Sequence, residues 1–490
     1  MGLEAENGDH PWRHGDRPVT PIPRNSALRY LIISISDVIL DPSTNRTIAS
    51  DLDVVMILLP RGAVRILFSS SIALALPTAT VAFPAHLAPI SIVSSVTTKS
   101  PPLLSRPIFF HRLMLGAVAM SSTSISSGGK TCDSYFDKSL SLLESVYGQV
   151  DSETFPKPMP PDEAGLCVDG TQRRYLWTDA FGVLAYTSIA DQYEANEMSQ
   201  EAARYRRASD KLIETVHKCL GSPRSNEKAD QMKIDTSSPT GHVGLRIGKV
   251  QTKKVTDYGM TYDGMYFHYM DKWLLALARA GHVDEGIQIA KSCFPSFFDP
   301  GDGSGFDGGI RWKLSVDSTA PPSLHSAGAS DDTLVTLIVF SILEANRSSE
   351  ENSPSLKNEI QQLKNALVGY RPRVTDDPLG WGLEAMYDQF LAGQPRTKVL
   401  ASIHKSALHP SHLSLPFRLY GAMIGAKLAG DAVAPSEQVG ELIELSLAYE
   451  EKAAKKGFEE HSSINRVMLA MCLLCPGALG RRPNDPTISI

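Results

Sequence analysis

Positive charge is scarce in this sequence, and that argues against a nucleic-acid-binding protein. The chain of 490 residues holds 48 lysines and arginines against 54 aspartates and glutamates, a formal net charge of −6. No basic surface is implied, so no nucleic-acid partner is expected. Cysteine is scarce as well: six are scattered along the chain, and only Cys472 and Cys475 lie close together, inside an apolar segment. We interpret these two as small buried thiols, and the cysteine pattern does not require an oxidising compartment.

Several motifs of common protein classes are missing too. The sequence has no glycine-rich phosphate-binding motif and no Gly-x-Ser-x-Gly elbow, which argues against a nucleotide enzyme or an α/β-hydrolase. One apolar run, Ile66 to Phe83, is interrupted by serines and a proline and is a poor membrane span. His409 and His412 could suggest zinc, but Pro410 between them spoils the helical spacing and no third ligand cluster follows. We therefore predict no metal, no cofactor and no stable membrane span.

The N-terminal quarter lacks acidic residues over a long stretch, with not one Asp or Glu between Asp53 and Asp133. Three interpretations stay open: an organellar or secretory targeting segment, a disordered tail, or an over-extended gene model whose true start is Met114 or Met120. We predict a non-globular leader over residues 1–125 and a folded domain over 126–490. The protein is expected in the cytoplasm if the leader is not genuine, and otherwise to be secreted or organellar.

From about Thr131 the sequence is typical of helices separated by short breaks. Twelve helices are predicted to start near Asp133, Arg173, Ser199, Tyr262, Val283, Ser330, Ser355, Leu379, Pro395, His412, Ser436 and Glu459. Ser199–Cys219 and Ser436–Lys455 are charged on one face, whereas Ser330–Leu343 and Ile464–Leu474 are apolar nearly all round. The alternation predicts an all-α fold with an outer and an inner ring, an (α/α)6 toroid of six helix hairpins. The alternative is an open α-solenoid, although the uneven spacing of the helices is unlike a regular repeat.

Three polar and aromatic segments accompany the apolar helices. They are YLWTDAFG (Tyr175 to Gly182), DYGMTYDGMYF (Asp257 to Phe267) and DPLGWGLEAMYDQF (Asp377 to Phe390). With the helix count and the alternation, they make residues Asp133 to Leu479 resemble the six-hairpin glycosidase superfamily. The resemblance implies a cavity at one end of the ring, lined by the first residues of the inner helices, in which sugars are the commonest ligands.

The candidate catalytic residues are Asp263 and Glu384 from these segments, and Asp331 and Asp332 from the start of the apolar helix that begins at Ser330. Glycoside hydrolysis needs two carboxyl groups, one to donate a proton and one to activate water or attack the sugar. Asp263 has no obvious structural task and lies between tyrosines, so we expect it to donate the proton. Asp331, Asp332 or Glu384 would be the second group. Asp331 and Asp332 could instead have a structural role, because carboxylates at the first turn of a helix interact favourably with the positive end of its dipole.

A second set of residues could bind the substrate. It comprises Trp177, Asp179, Arg246, Asp257, Tyr262, Tyr266, Trp312, His325, Trp381, His412, Arg418 and His461. Asp179 could instead cap the helix that follows it. Arg246 could hold an acidic group such as a uronate or belong to a solvated hairpin, and Arg418, inside an apolar helix, must pair or reach a cavity.

Three functions stay open. The one we favour is a carbohydrate-active enzyme, a glycoside hydrolase acting on a small-molecule or oligosaccharide substrate. The second is a sugar epimerase or isomerase in the same cavity, with His325 and either His412 or His461 as acid and base. The third is a non-catalytic helical scaffold whose polar segments are only helix caps. The oligomeric state is not predicted.

The leader is expected to be dispensable for stability. A chain that starts at Met120 should melt at the same temperature as the full-length chain, because the leader's acid-free, Ser- and Pro-rich composition offers no core. Thermal unfolding of the two chains tests this. An insoluble truncated chain, or one that melts markedly lower, would mean that the leader belongs to the fold.

Overall fold

The computed structural model describes residues 29–35, 52–58, 64–68, 129–224, 232–250, 263–301, 308–319, 330–350, 353–371, 374–456 and 461–490. The chain divides into two units, Met1–Met120 and Ser121–Ile490. This division falls close to the predicted boundary.

Three strands lie in the first unit: β1 (Arg29–Ile35), β2 (Leu52–Leu58) and β3 (Val64–Phe68). They form an antiparallel sheet in the order β1-β2-β3. The sequence analysis predicted no strand here, although the segments are rich in the β-branched residues that favour strands. The rest of the leader lies outside the described residues, so its non-globular character stays a prediction.

Twelve α-helices account for most of the described part of the second unit, which confirms the predicted helical character. They are α1 (Gly129–Tyr147), α2 (Leu176–Ala195), α3 (Ser199–Leu220), α4 (Phe267–Ala280), α5 (Val283–Phe297), α6 (Ser330–Ala345), α7 (Lys357–Ala366), α8 (Pro378–Asp388), α9 (Thr397–Ala407), α10 (Pro416–Ala429), α11 (Ser436–Lys456) and α12 (Ser462–Leu474). Each begins within five residues of its predicted start. Two short 3-10 helices, Pro410–Ser414 and Gly477–Leu479, precede α10 and follow α12.

Two short strand pairs accompany the helices. β4 (Met265–Tyr266) pairs with β7 (Lys313–Leu314), and β5 (Phe298–Asp299) pairs with β6 (Gly309–Ile310). The β4–β7 pair explains the largest difference between a predicted and an observed helix start, that of α4. Residues 265 and 266 are extended because they pair with β7, so α4 begins at Phe267 instead of Tyr262.

The odd-numbered helices pack on the even-numbered helices, several of which are buried almost all round. Helix α2 is buried continuously from Leu176 to Ala190, whereas α3 is buried along one stripe. Helix α2 packs against α4, α4 against α6, α8 against α10, α10 against α12, and α12 against α2. Helices α3, α5, α7, α9 and α11 each pack on the even-numbered helix before them, and α1 packs on α12.

Glycines allow α8 and α10 to approach closely. A Cβ atom added at Gly382 of α8 would collide with the carbonyl of Gly421, and one at Gly425 of α10 would collide with the carbonyl of Gly382. Only residues without a side chain fit where two helix backbones lie in contact. The pairing of α8 and α10 therefore depends on these three positions.

The chain after α12 is fixed to the end of α4 by one buried arginine. Arg279 in the last turn of α4 is 4% exposed, and its Nη1 and Nη2 donate to the two carboxylate oxygens of Asp485 at 2.7 and 2.6 Å. Its Nε donates to the carbonyl of Ala478 at 2.9 Å. Both partners lie far along the chain, so this guanidinium joins the C-terminal segment to the inner helix.

Asp485→Asn is expected to lower the free energy of unfolding by about 3–5 kcal/mol, because it leaves the buried Arg279 charge without its counter-charge. Denaturant-induced unfolding measures the change. The control is Glu451→Gln, which breaks the exposed Lys455–Glu451 pair at 2.8 Å and should cause no measurable change. A change at Asp485 no larger than that of the control would contradict the structural role of the pair.

Candidate functional site

Six aromatic rings meet where α2 and α4 begin. They belong to Tyr175, Trp177, Tyr266, His268, Tyr269 and Trp312. The ring centroids of Trp177 and Tyr269 are 5.2 Å apart, and those of Tyr266 and Trp312 are 5.7 Å apart. The β4–β7 pair positions Trp312, whose carbonyl accepts a hydrogen bond from the N–H of Phe267 at 2.9 Å. The structure thus brings together Trp177, Tyr266 and Trp312, three residues that the sequence analysis chose from separate segments.

Lys272 lies one turn below His268 on the same face of α4. It is 3% exposed, and its Nζ lies 6.0 Å from the centroid of the Trp177 ring and 5.1 Å from that of Tyr387 on α8. Among the described residues, the amine makes neither a hydrogen bond nor a close ion pair. Burial lowers the pKa of Lys272, and the nearby charges of Asp271 and Asp332 oppose that shift.

Asp271 is fully buried beside Lys272, and its only hydrogen-bond partner in the described part is Thr336 of α6. The Thr336 hydroxyl donates its single proton to the carbonyl of Asp332 at 2.6 Å. It also lies 3.3 Å from Oδ1 of Asp271, to which it can donate a weaker, shared hydrogen bond. Burial raises the pKa of Asp271 well above its usual range; Lys272 opposes the shift, and the Asp332 carboxylate adds to it.

We call Trp177, His268, Asp271, Lys272, Trp312, Asp332, Thr336 and Tyr387 the central cluster. Four polar atoms in it have no hydrogen-bond partner among the described residues: Nε1 of Trp177, Oδ2 of Asp271, Nε1 of Trp312 and Oη of Tyr387. A buried polar group without a partner costs about 1–3 kcal/mol. Four such atoms in one place indicate a site built for a polar ligand.

Burial also fixes the protonation of two further rings in the cluster. It lowers the pKa of His268 to about 3, with Lys272 adding to the shift, so the imidazole is neutral near pH 7. It raises the pKa of Tyr387 well above its usual range, so the phenol keeps its proton. The cluster therefore combines neutral donors and acceptors with aromatic faces.

Asp263, the predicted proton donor, lies in a different environment. It is 2% exposed, and its Oδ2 lies 3.0 Å from Nη1 of Arg246 and 2.7 Å from Nη2 of Arg224. Its Oδ1 accepts hydrogen bonds from the N–H groups of Gly248 and Lys249 at 2.7 and 2.8 Å. These contacts occupy both carboxylate oxygens with partners from the protein itself. Asp263 therefore holds residues 246–249 against the start of β4, a structural role that was not predicted from the sequence. Arg246 takes part in the same contact.

Asp179, in the first turn of α2, contacts a different set of residues from Trp177. It is fully buried, lies 3.4 Å from Nη1 of Arg174 and is adjacent to Tyr147 of α1. Burial raises the pKa of Asp179 to about 6, and Arg174 opposes the shift. Residues two apart on a helix point in different directions, so Asp179 lies outside the central cluster.

Two candidates on α8 have structural partners. Trp381 is 0% exposed, and its Nε1 donates to the carbonyl of Leu400 on α9 at 3.2 Å. It therefore belongs to the packing between α8 and α9, and its role in substrate binding stays a prediction. The carboxylate of Glu384 accepts a hydrogen bond from the N–H of Thr375 at 3.1 Å and so fixes the loop that leads into α8.

The candidates near α10 and α12 lie apart from the cluster as well. Arg418 forms an ion pair with Asp377, the residue that caps α8. The Nε2 atom of His412 lies 3.0 Å from the carbonyl oxygen of Ser406 in an exposed turn. His461 precedes α12 with a left-handed backbone. These contacts fit local structural roles for the three residues.

The remaining candidates cannot be located. Asp257, Tyr262 and His325 lie outside the described residues, as does the side chain of Asp331. Their roles stay predictions.

Sequence reasoning missed Asp271, Lys272, His268 and Tyr387. The signal was available for the first two, because a charged pair inside an otherwise apolar helix must be paired or serve a site. It also missed the disulfide between Cys167 and Cys219, whose Cα atoms are 5.1 Å apart across 52 residues of sequence. The predicted buried thiols of Cys472 and Cys475 are confirmed.

A second polar network lies between α3 and α5, beside a cavity of about 440 Å³. Nε1 of Trp273 donates to Nε2 of His217 at 3.0 Å, which leaves the proton of His217 on Nδ1, 2.9 Å from Glu285. His282 lies 2.9 Å from Glu285 and 3.0 Å from Asp210 through its two nitrogens. Those bonds, the one to Glu285 foremost, raise the pKa of His282 to about 9, and the bonds from His217 and His282 lower that of Glu285 to about 2.

No known family, curated protein or solved structure matches this chain. In the described part of the chain, no group of three or more histidine, cysteine or acidic side chains could hold a metal ion. None of the helices described is long and apolar enough to cross a membrane.

His282→Gln is expected to destabilise the protein most below about pH 6.5, the pKa of an unperturbed histidine. Because the folded pKa of His282 is raised to about 9, its contribution is complete below the unfolded value and is lost as the pH rises through about 9. Urea unfolding of both chains between pH 5 and pH 10 measures this. A difference between the two chains that stays constant over this range would contradict the assignment.

Proposed function

We propose that the helices of the second unit form a closed ring of six hairpins, with the even-numbered helices inside. The circular order of packing supports this: α12 returns to α2, and α1 packs on α12. An open solenoid contacts only successive repeats, so its last helix would lie far from its first. Side chains of α2, α4, α6 and α8 also meet in the central cluster, as inner helices of a ring would do.

We propose further that the central cluster is the active site of a carbohydrate-active enzyme that hydrolyses glycosidic bonds. The observation that carries this proposal is the set of four unpartnered polar atoms among aromatic rings. A sugar has apolar faces that stack on rings and a rim of hydroxyls that donate and accept hydrogen bonds. Ligand sites commonly combine such apolar walls with a few convergent polar groups.

The two carboxyl groups that this reaction needs are available on neighbouring inner helices. We assign Asp271 as the proton donor, since burial raises the pKa of its carboxyl well above the usual range, as a general acid requires. Asp332, half-buried in the first turn of α6, is the second group, because the positive end of the helix dipole favours its anion. This assignment replaces Asp263 by Asp271 and keeps Asp332 from the predicted set.

A second candidate is the sugar isomerase or epimerase, and one observation favours it. His268 places an imidazole among the rings of the cluster, and histidine is the side chain that most often moves a proton in catalysis. It would take the role that the sequence analysis gave to His325, His412 or His461. The two candidates differ in the variant that abolishes activity: Asp271→Asn for the hydrolase, His268→Gln for the isomerase.

Asp271→Asn is expected to reduce kcat on a glycoside by about a hundredfold to ten-thousandfold, because the amide keeps the shape but has no proton to transfer. A panel of aryl glycosides and uronides first identifies a substrate, and steady-state kinetics then compare the variants. KM should change little, since the groups that bind the sugar remain.

The matched control is Asp388→Asn, which makes the same substitution at a buried aspartate of a different helix, α8. Asp388 accepts hydrogen bonds from the N–H of Arg396 at 3.2 Å and the hydroxyl of Thr397 at 3.0 Å, so it orders the start of α9. The kcat of the Asp388→Asn variant, per folded molecule, should equal that of the parent protein. Turnover by Asp271→Asn within a factor of a few of the parent would remove Asp271 from the mechanism.

A further inference from the structure

The amine of Lys272 has no role in a two-carboxylate hydrolysis, yet it occupies the middle of the central cluster. The side chain is 3% exposed, and its Nζ lies 5.1 Å from the ring centroid of Tyr387 and 6.0 Å from that of Trp177. No hydrogen bond or close ion pair to it exists in the described residues. A structural lysine in such a place would pair with a carboxylate.

The environment favours the neutral amine. Desolvation of an ammonium ion costs much more than the attraction of two aromatic faces returns. The adjacent carboxyl, Asp271, is the natural counter-ion, but it makes no close ion pair with the amine in the described residues, and burial raises its pKa well above the usual range. Burial therefore favours the neutral form of both side chains. Buried lysines of this kind are nucleophiles in Schiff-base enzymes.

We propose that Lys272 is a nucleophilic amine that forms a Schiff base with the carbonyl of an open-chain sugar or another small hydroxyaldehyde. The nitrogen lone pair forms the new C–N bond, and the carbonyl π electrons move to oxygen, which takes the proton of the Asp271 carboxyl. The nitrogen then returns a proton to the Asp271 carboxylate. The oxygen, protonated a second time from the same carboxyl, leaves as water, and the remaining N–H proton restores the acid. The net reaction is amine plus aldehyde to imine plus water.

The unpartnered atoms around Lys272 suit this ligand. Oη of Tyr387, Nε1 of Trp177 and Oδ2 of Asp271 can bind the hydroxyl groups that flank the carbonyl. The inference does not depend on glycoside hydrolysis, because imine formation needs only the amine, the acid and the carbonyl compound.

The full-length protein is treated with glycolaldehyde and cyanoborohydride, which reduces an imine to a stable secondary amine, and modification of each lysine is measured by peptide mass mapping. Lys455 and Lys218, which are 73% and 70% exposed, are the internal references. An exposed lysine with an ordinary pKa is about 0.04% amine at pH 7. Lys272 should therefore be modified at least about tenfold faster than either reference.

The pH dependence separates a neutral amine from an accessible ammonium. The ratio of Lys272 to Lys455 modification should fall about tenfold for each unit between pH 6 and pH 8, since only Lys455 gains amine over that range. Asp271→Asn should slow modification of Lys272 and leave Lys455 unchanged. A ratio near one at pH 7, a ratio that does not change with pH, or modification of Lys272 only in urea would each overturn the proposal.

The outcomes also separate this inference from the proposed hydrolase. If the protein cleaves glycosides through Asp271 but Lys272 is not modified, only the Schiff-base proposal is contradicted. If Lys272 is modified rapidly but no glycoside is cleaved, the nucleophilic amine is supported and the hydrolase proposal is contradicted.

Discussion

Helix α4 carries an aspartate and a lysine side by side where neither can be solvated. Asp271 is 0% exposed and Lys272 is 3% exposed, and both sit in a helix whose other buried residues are largely apolar. Two isolated charges in such a place cost several kcal/mol each, and a pair recovers this only with close contact and further hydrogen bonds. The contacts are not of that kind, so burial favours the neutral form of both side chains. The chemistry that we propose for the protein follows from this state.

The central cluster is possible because α2, α4 and α6 begin close together, while α8 contributes Tyr387 from its last turn. Trp177 lies near the start of α2, His268 near the start of α4 and Asp332 in the first turn of α6, so residues from distant parts of the sequence meet. Unsatisfied N–H groups and the positive ends of helix dipoles collect at the same place, where they favour anions and polar ligands. A site of this kind is a property of the packing and of no single segment.

This explains which features the sequence could predict. The twelve helices follow from local periodicity, and Trp177 and Tyr266 were chosen because aromatic residues stood at the starts of apolar helices. The partners of Asp263 could not be foreseen, because Arg224 and Arg246 reach it from earlier loops whose path depends on the whole fold. The disulfide between Cys167 and Cys219 was hidden for the same reason.

The orientation of Lys272 is fixed by contacts on three sides of α4. The start of α4 continues from β4, which pairs with β7. Trp273, the residue after Lys272, donates a hydrogen bond to His217 on α3. Arg279 joins the last turn of α4 to Asp485. These contacts lie along the whole length of the helix and on different faces. A rotation of α4 that moved the amine away from Trp177 and Tyr387 would have to break all of them at once. Sites built on helices held in this way keep their reacting groups in place without the substrate, which reduces the reorganisation that a reaction requires. The network around His217 and the pair of Arg279 with Asp485 are therefore the structural support of the site, although neither touches it.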